Sequence, residues 1–384
     1  MKGYKVMIVA GEASGDLHGS YLVQSLRRQN PDIQFFGMGG RLMQEAGVEL
    51  LFDPTQMSTI GFVEALKSYR VLKRVLSRLR DALVERRPDV LVLIDFGGFN
   101  MRLGPMAKAA NIPVVYYISP AAWAYAEGRA KKVAAFADKV VSIFPFEYDV
   151  YKKAGANVEF VGHPLLDIVQ VDGSKAELCS RLDLDPENPI IGLLPGSREQ
   201  ELKSLFPKML AAARLIAQEI ADVQFVVPLA STVSDVAAAI LDDLDARDLN
   251  LRIVTGEAYS VMAVSDLAVI ACGTATLEAA ILDTPQVAIY QVAPVTAFIV
   301  RRVVRISHFA LPNIIMEKEI IPELIQEEVT TDNIAGTVLE LWNQPDQIAQ
   351  IRRDYQAMRT RLGSSGAVDR AAAAVLQAAR QSSR

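Results

Sequence analysis

Cysteine, histidine and tryptophan are scarce in this chain of 384 residues, which has two, three and two of them. Cys179 and Cys272 cannot build a disulfide framework or a four-thiolate metal site. His18, His163 and His308 are too few for a His-rich metal centre, so neither a metal nor another cofactor is expected. An excess of charge is missing too: 40 Lys and Arg against 45 Asp and Glu leave −5, with no average basic field to draw nucleic acid. Uninterrupted apolar runs of membrane-spanning length are also absent. Ala109–Ala126 and Thr284–Val300 come nearest, but each carries two prolines and polar residues such as Asn111, Ser119, Gln286 and Gln291. Both therefore read as strand–loop–helix in a soluble core. The first apolar run stops at Glu12 and Asp16, so no signal peptide is expected. The first glycine-rich loop lacks the G-x-G-x-x-G spacing of a dinucleotide site, and the second lacks a Walker lysine. Those absences disfavour a nicotinamide or flavin enzyme and exclude an ATPase loop.

What remains is ample apolar material: 51% hydrophobic residues against 22% charged. It is organised as short Val/Ile/Leu runs alternating with amphipathic helical patterns. Lys5–Ala10, Ile33–Phe36, Val90–Ile94, Val114–Ile118, Val140–Ile143 and Glu159–Val161 read as strands. They lack in/out alternation, the mark of a parallel sheet covered on both faces. After Gly162-His163-Pro164 an Asp-rich stretch interrupts the rhythm. It restarts with Ile190–Leu194, Gln224–Pro228, Leu251–Thr255, Asp266–Ala271 and Gln286–Tyr290. The expected fold is α/β: two Rossmann-like, doubly wound domains facing a cleft, over 1–164 and 165–345, with a helical tail over 346–384. The tail is expected to return to the first domain or to a partner chain, which leaves a homodimer open.

Ligands of open α/β sheets bind beyond the carboxyl ends of strands, so the residues after each strand carry the functional information. GEASGDLHG (11–19) brings Gly15 and Asp16 to a helix start, where Asp16 is either a ligand group or a cap at Leu17. VLVLIDFGGFN (90–100) ends the most apolar strand at Asp95, a partly dry position suited to a general base or to bonding the Gly97-Gly98 turn. VVYYISPAAWAY (114–125) offers Trp123, as core or as aromatic surface. LPGSREQEL (194–202) gathers Gly196, Ser197 and Arg198 before a helix, where a phosphate fits as well as a plain cap would. ACGTATLEAA (271–280) places Gly273 and Thr274 at another helix start, with Glu278 one turn in. That acid can accept from a ribose diol or close a capping box with a threonine.

Together these loops put nucleotide phosphate and ribose on the second domain and a base on the first. At this point the chain resembles one family, the lipid-A-disaccharide synthases. GEASGD, IDF..FN, YISP..WA, FPFE (144–147), FVGHP (160–164), LPGSR..E, GTATLEAA, and ALPN (310–313) with PELIQ (322–326) occur in family order. The resemblance implies inverting transfer of diacylglucosamine from UDP-2,3-diacylglucosamine to the 6-hydroxyl of lipid X (2,3-diacylglucosamine 1-phosphate). By motif, Asp95 matches the essential acid, Arg198 the phosphate-loop arginine, Glu278 the ribose-side acid and Asn313 the asparagine of the LPN motif. Gly15, Asp16, Asn100, Trp123 and His163 fall on the acceptor or cleft side. The chain departs from the usual family residues at Gly97-Gly98, Tyr125-Ala126 and Cys272. Other UDP-sugar enzymes of this fold, such as a peptidoglycan-type GlcNAc transferase or a 2-epimerase, are the alternative, as is a non-catalytic paralogue.

Lipid substrates require contact with a bilayer. From Lys67 to Arg87 the chain has eight basic residues and two acidic ones, a local +6, interleaved with Leu, Val and Tyr. An amphipathic basic helix over about 60–80 is therefore expected to touch an anionic membrane surface. The location implied is the cytoplasm, peripherally on the inner face of the cytoplasmic membrane. Ala297–Phe309, with Arg301, Arg302 and Arg305, is a weaker candidate of the same kind.

Overall fold

The computed structural model describes residues 3–54, 62–120, 127–230, 233–244, 246–292 and 307–382, with 62–70, 127, 246 and 382 entering through their backbone alone. The chain divides into two compact units, residues 1–167 with 362–384, and residues 168–361.

In the first unit seven strands form one parallel sheet: β1 (Lys5–Ala10), β2 (Gln34–Met38), β3 (Glu49–Phe52), β4 (Val90–Ile94), β5 (Val114–Tyr117), β6 (Lys139–Ser142) and β7 (Val158–Phe160). Their spatial order is β3-β2-β1-β4-β5-β6-β7. The chain starts in the middle, builds outward to β3, then crosses back to lay β4 beside β1, with Ala10 opposite Ile94. All five residues of β4 are buried, as a strand covered on both faces requires. Tyr116, Phe99, Leu103, Val133 and Phe136 share one continuous core with Leu91 and Leu93. Strand β3 escapes a reading of apolar runs because it is four residues long with Glu49 at its start; only its edge position beside β2 makes it a strand.

The second unit repeats the plan with β8 (Ile190–Leu194), β9 (Gln224–Leu229), β10 (Leu251–Thr255), β11 (Leu267–Ala271), β12 (Gln286–Tyr290) and β13 (Glu323–Ile325). They are ordered β10-β9-β8-β11-β12-β13, all parallel. The three-residue β13 is likewise an edge strand that its sequence does not announce.

The helical tail is shared between the units. Pro345–Arg361 belongs to the second, where the Tyr355 hydroxyl is fully buried and accepts from Gln286 Nε2 at 3.1 Å. Ala367–Ser382 belongs to the first, packing on helix Ala13–Gln29 and on β4, β5 and β6. Alanines at 367, 371, 372 and 379 are buried there and allow close approach. The Asp167 carboxylate accepts from the backbone N–H groups of Gly366 and Val368, satisfying donors at the start of that last helix.

Each sheet reverses its winding direction once, at β1/β4 and at β8/β11. That switch point opens a crevice beyond the strand ends, where such folds bind ligands. GEASGD and IDF follow β1 and β4; LPGSR and CGTATLE follow β8 and β11.

Candidate active site

Asp95 stands immediately past β4, and its backbone is left-handed, with φ 43°; Phe96 follows at φ 44°. Two successive non-glycine residues in that region cost on the order of 1–3 kcal/mol each unless the surroundings hold them. Three hydrogen bonds do so. Asp95 N donates to Ile118 O at 3.0 Å, and Asp95 O accepts from Tyr116 Oη at 2.9 Å and from Asn100 Nδ2 at 2.8 Å. The Phe96 ring lies over Gly11, where a Cβ would fall 2.1 Å from it, so only glycine fits beneath the turn. Helix Gly97–Ala109 starts directly after this bend.

The half-buried Asp95 carboxyl has its pKa pushed up to about 6, first by burial and then by the negative charge of Glu12. The backbone N–H of Phe96 pulls the other way. A carboxylate that takes up a proton near pH 6 is matched to proton abstraction close to neutrality. Asn100 is fully buried and serves the bend through its amide nitrogen, while its Oδ1 has no hydrogen-bond partner among the described residues.

The other residues picked out on this unit have structural tasks. Gly15 packs against Ala10 and Ile94, bringing helix Ala13–Gln29 close to the strand ends. Because that helix begins at Ala13, Asp16 lies inside its first turn and does not cap Leu17. Its buried carboxylate instead accepts from Gly40 N (2.8 Å), Leu42 N (3.0 Å) and Met43 N (3.0 Å), capping helix Arg41–Glu45. His163 Nδ1 accepts from Leu165 N at 3.2 Å, and its ring lies 6.5 Å from that of His18 and 4.9 Å from that of Phe144. Burial drives both histidines to the neutral form, His18 to a pKa of about 4 and His163 well below its ordinary value. Trp123, with Tyr125 and Ala126, lies outside the described residues.

On the second unit Gly196 takes φ 101° and turns the chain from β8 into helix Glu199–Glu219. Ser197 and Arg198 are exposed at its start. Arg198 Nη1 pairs with Glu201 Oε1 at 3.0 Å, the arginine side chain being 69% exposed. So open an ion pair is worth at most about 1 kcal/mol. Gly273 is the N-cap of helix Thr274–Ile281, with open space on its Cβ side.

The capping-box alternative for Glu278 is not what forms. Thr276 Oγ1 donates to Gly273 O at 2.8 Å, whereas Glu278 Oε1 accepts from Tyr259 Oη at 3.0 Å. Glu278 lines a cavity of about 450 Å³ together with Tyr259, Arg181, Gly256, Glu257 and Ser260. Tyr259 and Arg181 had no signal in the sequence, since no motif spacing links 181, 259 and 278.

Asn313 is fully buried and saturated. Its Oδ1 accepts from Ile320 N (2.7 Å) and Ile321 N (3.0 Å), and its Nδ2 donates to Ile321 O (2.9 Å) and Glu323 Oε1 (2.7 Å). It ties the loop before β13 to helix Leu311–Met316. Among the described residues no three His, Cys, Asp or Glu side chains are grouped to hold a metal ion, and no helix is long and apolar enough to cross a membrane.

The model of the lipid-A-disaccharide synthetase family matches residues 6–378. A lipid-A-disaccharide synthase of Geobacter metallireducens is 41% identical over 373 residues, covering 97% of each chain. That of Trichlorobacter lovleyi is 41% identical over 382 residues, covering 98% of each. Among solved structures, a UDP-GlcNAc 2-epimerase of Neisseria meningitidis bound to UDP-GlcNAc aligns with TM-score 0.65 at 12% identity, covering 97% of this chain and 98% of that one. A calicheamicin glycosyltransferase aligns with TM-score 0.62 at 14% identity, covering 98% of each. These two share the fold, the paired α/β units of GT-B glycosyltransferases and epimerases. Family match and fold agree: the chain belongs to the lipid-A-disaccharide synthetase family, glycosyltransferases of lipid A biosynthesis.

Proposed function

We propose that the chain joins UDP-2,3-diacylglucosamine to lipid X with inversion at the sugar, releasing UDP, and that Asp95 is the base. Asp95 takes the proton of the acceptor 6-hydroxyl as that oxygen forms its bond to the anomeric carbon. The bond from that carbon to the UDP oxygen breaks, and its electron pair leaves with UDP. Arg198 and the N-termini of helices Glu199–Glu219 and Thr274–Ile281 stabilise the charge that accumulates on the diphosphate. Glu278 takes the ribose, and Gly196, Ser197, Gly273 and Thr274 shape the phosphate loops. The single observation carrying this reading is Asp95, held on a strained turn at a sheet switch point with its pKa raised to about 6.

Gly15, through its packing, and Asp16, Asn100, His163 and Asn313, through the bonds described above, enter this reading as positioning residues of the acceptor side or the cleft. The enzyme works at the inner face of the cytoplasmic membrane, with helix Phe62–Arg86 toward anionic lipid. Lys73, Arg74, Arg78 and Arg80 are exposed on it, while Val75, Leu79, Ala82 and Leu83 are buried. Residues 60–61 and most of the second basic stretch, 297–306, lie outside the described residues.

UDP release from purified protein is the test. Release is expected with UDP-diacylglucosamine plus lipid X and not when either is omitted. Release with unacylated UDP-GlcNAc, and none with the acylated donor, would point to another UDP-sugar enzyme.

A further inference from the structure

Glu278 projects from helix Thr274–Ile281, and Tyr259 from helix Ala258–Val264; the two helices pack together through Met262, Ala275 and Ala279. Both side chains line the same cavity of about 450 Å³. An ionised carboxylate only accepts hydrogen bonds and offers about four lone-pair sites on two oxygens. Tyr259 Oη, donating to Oε1 at 3.0 Å, takes one of them and tethers that oxygen. The remaining sites, one on Oε1 and those on Oε2, are left for donors that enter the cavity.

The rest of the lining is held as well. Arg181 Nη2 donates to Ser260 Oγ at 2.7 Å, and Ser260 Oγ donates to Glu257 Oε2 at 2.6 Å. Gly256, with φ 77° and open space on its Cβ side, leaves room for a ligand at the mouth of helix Ala258–Val264. Burial pushes the Glu278 pKa up, and the Tyr259 hydrogen bond opposes that by favouring the charged form.

We propose that Tyr259 is a positioning residue for ribose recognition, holding the Glu278 carboxylate so that its free lone pairs face the vicinal hydroxyls of a nucleoside diphosphate in this cavity. This rests on the reading of Glu278 as the ribose-side acid. Tyr259 touches neither the reacting carbon nor the acceptor, so its effect falls on nucleotide binding and not on the chemical step.

Calorimetric titration of the full chain with UDP and with 2′-deoxy-UDP tests it, for the wild type, Tyr259→Phe and Glu278→Gln. Phenylalanine keeps the ring packing and removes only the hydroxyl. The wild type is expected to prefer UDP, and Glu278→Gln to lose that preference. Tyr259→Phe is expected to lose about 3- to 10-fold in UDP affinity with 2′-deoxy-UDP affinity nearly unchanged, the scale of one hydrogen bond. Its donor KM should rise by a similar factor with kcat little altered. Equal losses for both nucleotides, or a preference for UDP that stays at the wild-type value while Glu278→Gln loses it, would overturn the positioning role. A wild-type preference retained in Glu278→Gln would instead remove the ribose reading, and the proposal with it.

Discussion

At the residue scale, the neighbours of Asp95 set both its backbone and its charge. Tyr116 and Asn100 bond its carbonyl and so aim its carboxyl, and burial with Glu12 sets its protonation. Replacing Asp95 with Asn should cut turnover at least ~100-fold, the low end for losing a general base. In the wild type kcat/KM should fall as pH drops through about 6, because the base becomes protonated. The stability effect has the opposite sense. A carboxyl whose folded pKa lies above its ordinary 3.8 destabilises the fold once it ionises. Asp95→Asn should therefore match or exceed wild-type stability at pH 8, by on the order of 1–2 kcal/mol, with no difference below pH 4. Denaturant melts at the two pH values check this; a large loss at pH 8 would show that Asp95 holds the fold. Asn313 is the contrasting case. Asn313→Ala strands the buried N–H groups of Ile320 and Ile321, and removes one donor from a Glu323 carboxylate that keeps Phe309 N and Ala310 N; it should cost about 2–4 kcal/mol in a denaturant melt. Unaltered stability with lost activity would place Asn313 in the chemistry instead. The place of Asp95 was legible in the sequence, because a polar residue closing an apolar run marks the carboxyl end of a buried strand. The tasks of Asp16 and Asn313 were not, because their partners lie at 40–43 and 320–323, set by helix packing and not by local spacing.

At the scale of elements, helix Phe62–Arg86 has, from residue 71 on, one face in the core and one exposed basic face. Val75, Leu79 and Leu83 join the core of the first unit, and Arg86 pairs bidentately with Glu49 at 2.7 Å while lying 5.0 Å over the Phe36 ring. The basic residues at 73, 74, 78 and 80 stay exposed. Each cation near an anionic bilayer adds roughly 1 kcal/mol. Changing Lys73, Arg74 and Arg78 together to Ser should abolish most co-sedimentation with anionic liposomes, and raised salt should weaken it in the wild type. Insensitivity to both would remove this helix from membrane contact. The last helix, Ala367–Ser382, binds its unit through Asp369, which accepts from Ser25 Oγ (2.5 Å) and Arg28 Nη2 (2.9 Å), and through Arg370, which donates to Val161 O (2.8 Å). Its amphipathic alanine pattern was readable and the first domain was one of its two expected partners; the bonds that choose it were not readable, since residues 25 and 369 are far apart in sequence.

At the scale of the molecule, two histidines titrate against one carboxyl in stability. His18, with pKa of about 4, and His163, also depressed, are neutral when folded, so the unfolded chain binds their protons first. Stability should decline as pH falls from 6.5 toward 4, by up to about 3 kcal/mol for His18 alone. Asp95 partly offsets this between pH 6 and 3.8. A stability profile flat from pH 7 to 4.5 would contradict the buried neutral histidines. The alternation of apolar runs with amphipathic helices determined two parallel α/β sheets, because strands covered on both faces must be apolar throughout and parallel strands need crossovers. The loops at which chemistry was sought followed from the strand ends. Strand order was a tertiary decision: only the packed sheet sets β4 beside β1 and β11 beside β8, and so turns four separate loops into two switch points. The edge strands β3 and β13, the bonds that occupy Asp16 and Asn313, and the Tyr259 hydroxyl on Glu278 were decided there too. Each depends on contacts between segments distant in sequence, which local propensity does not encode.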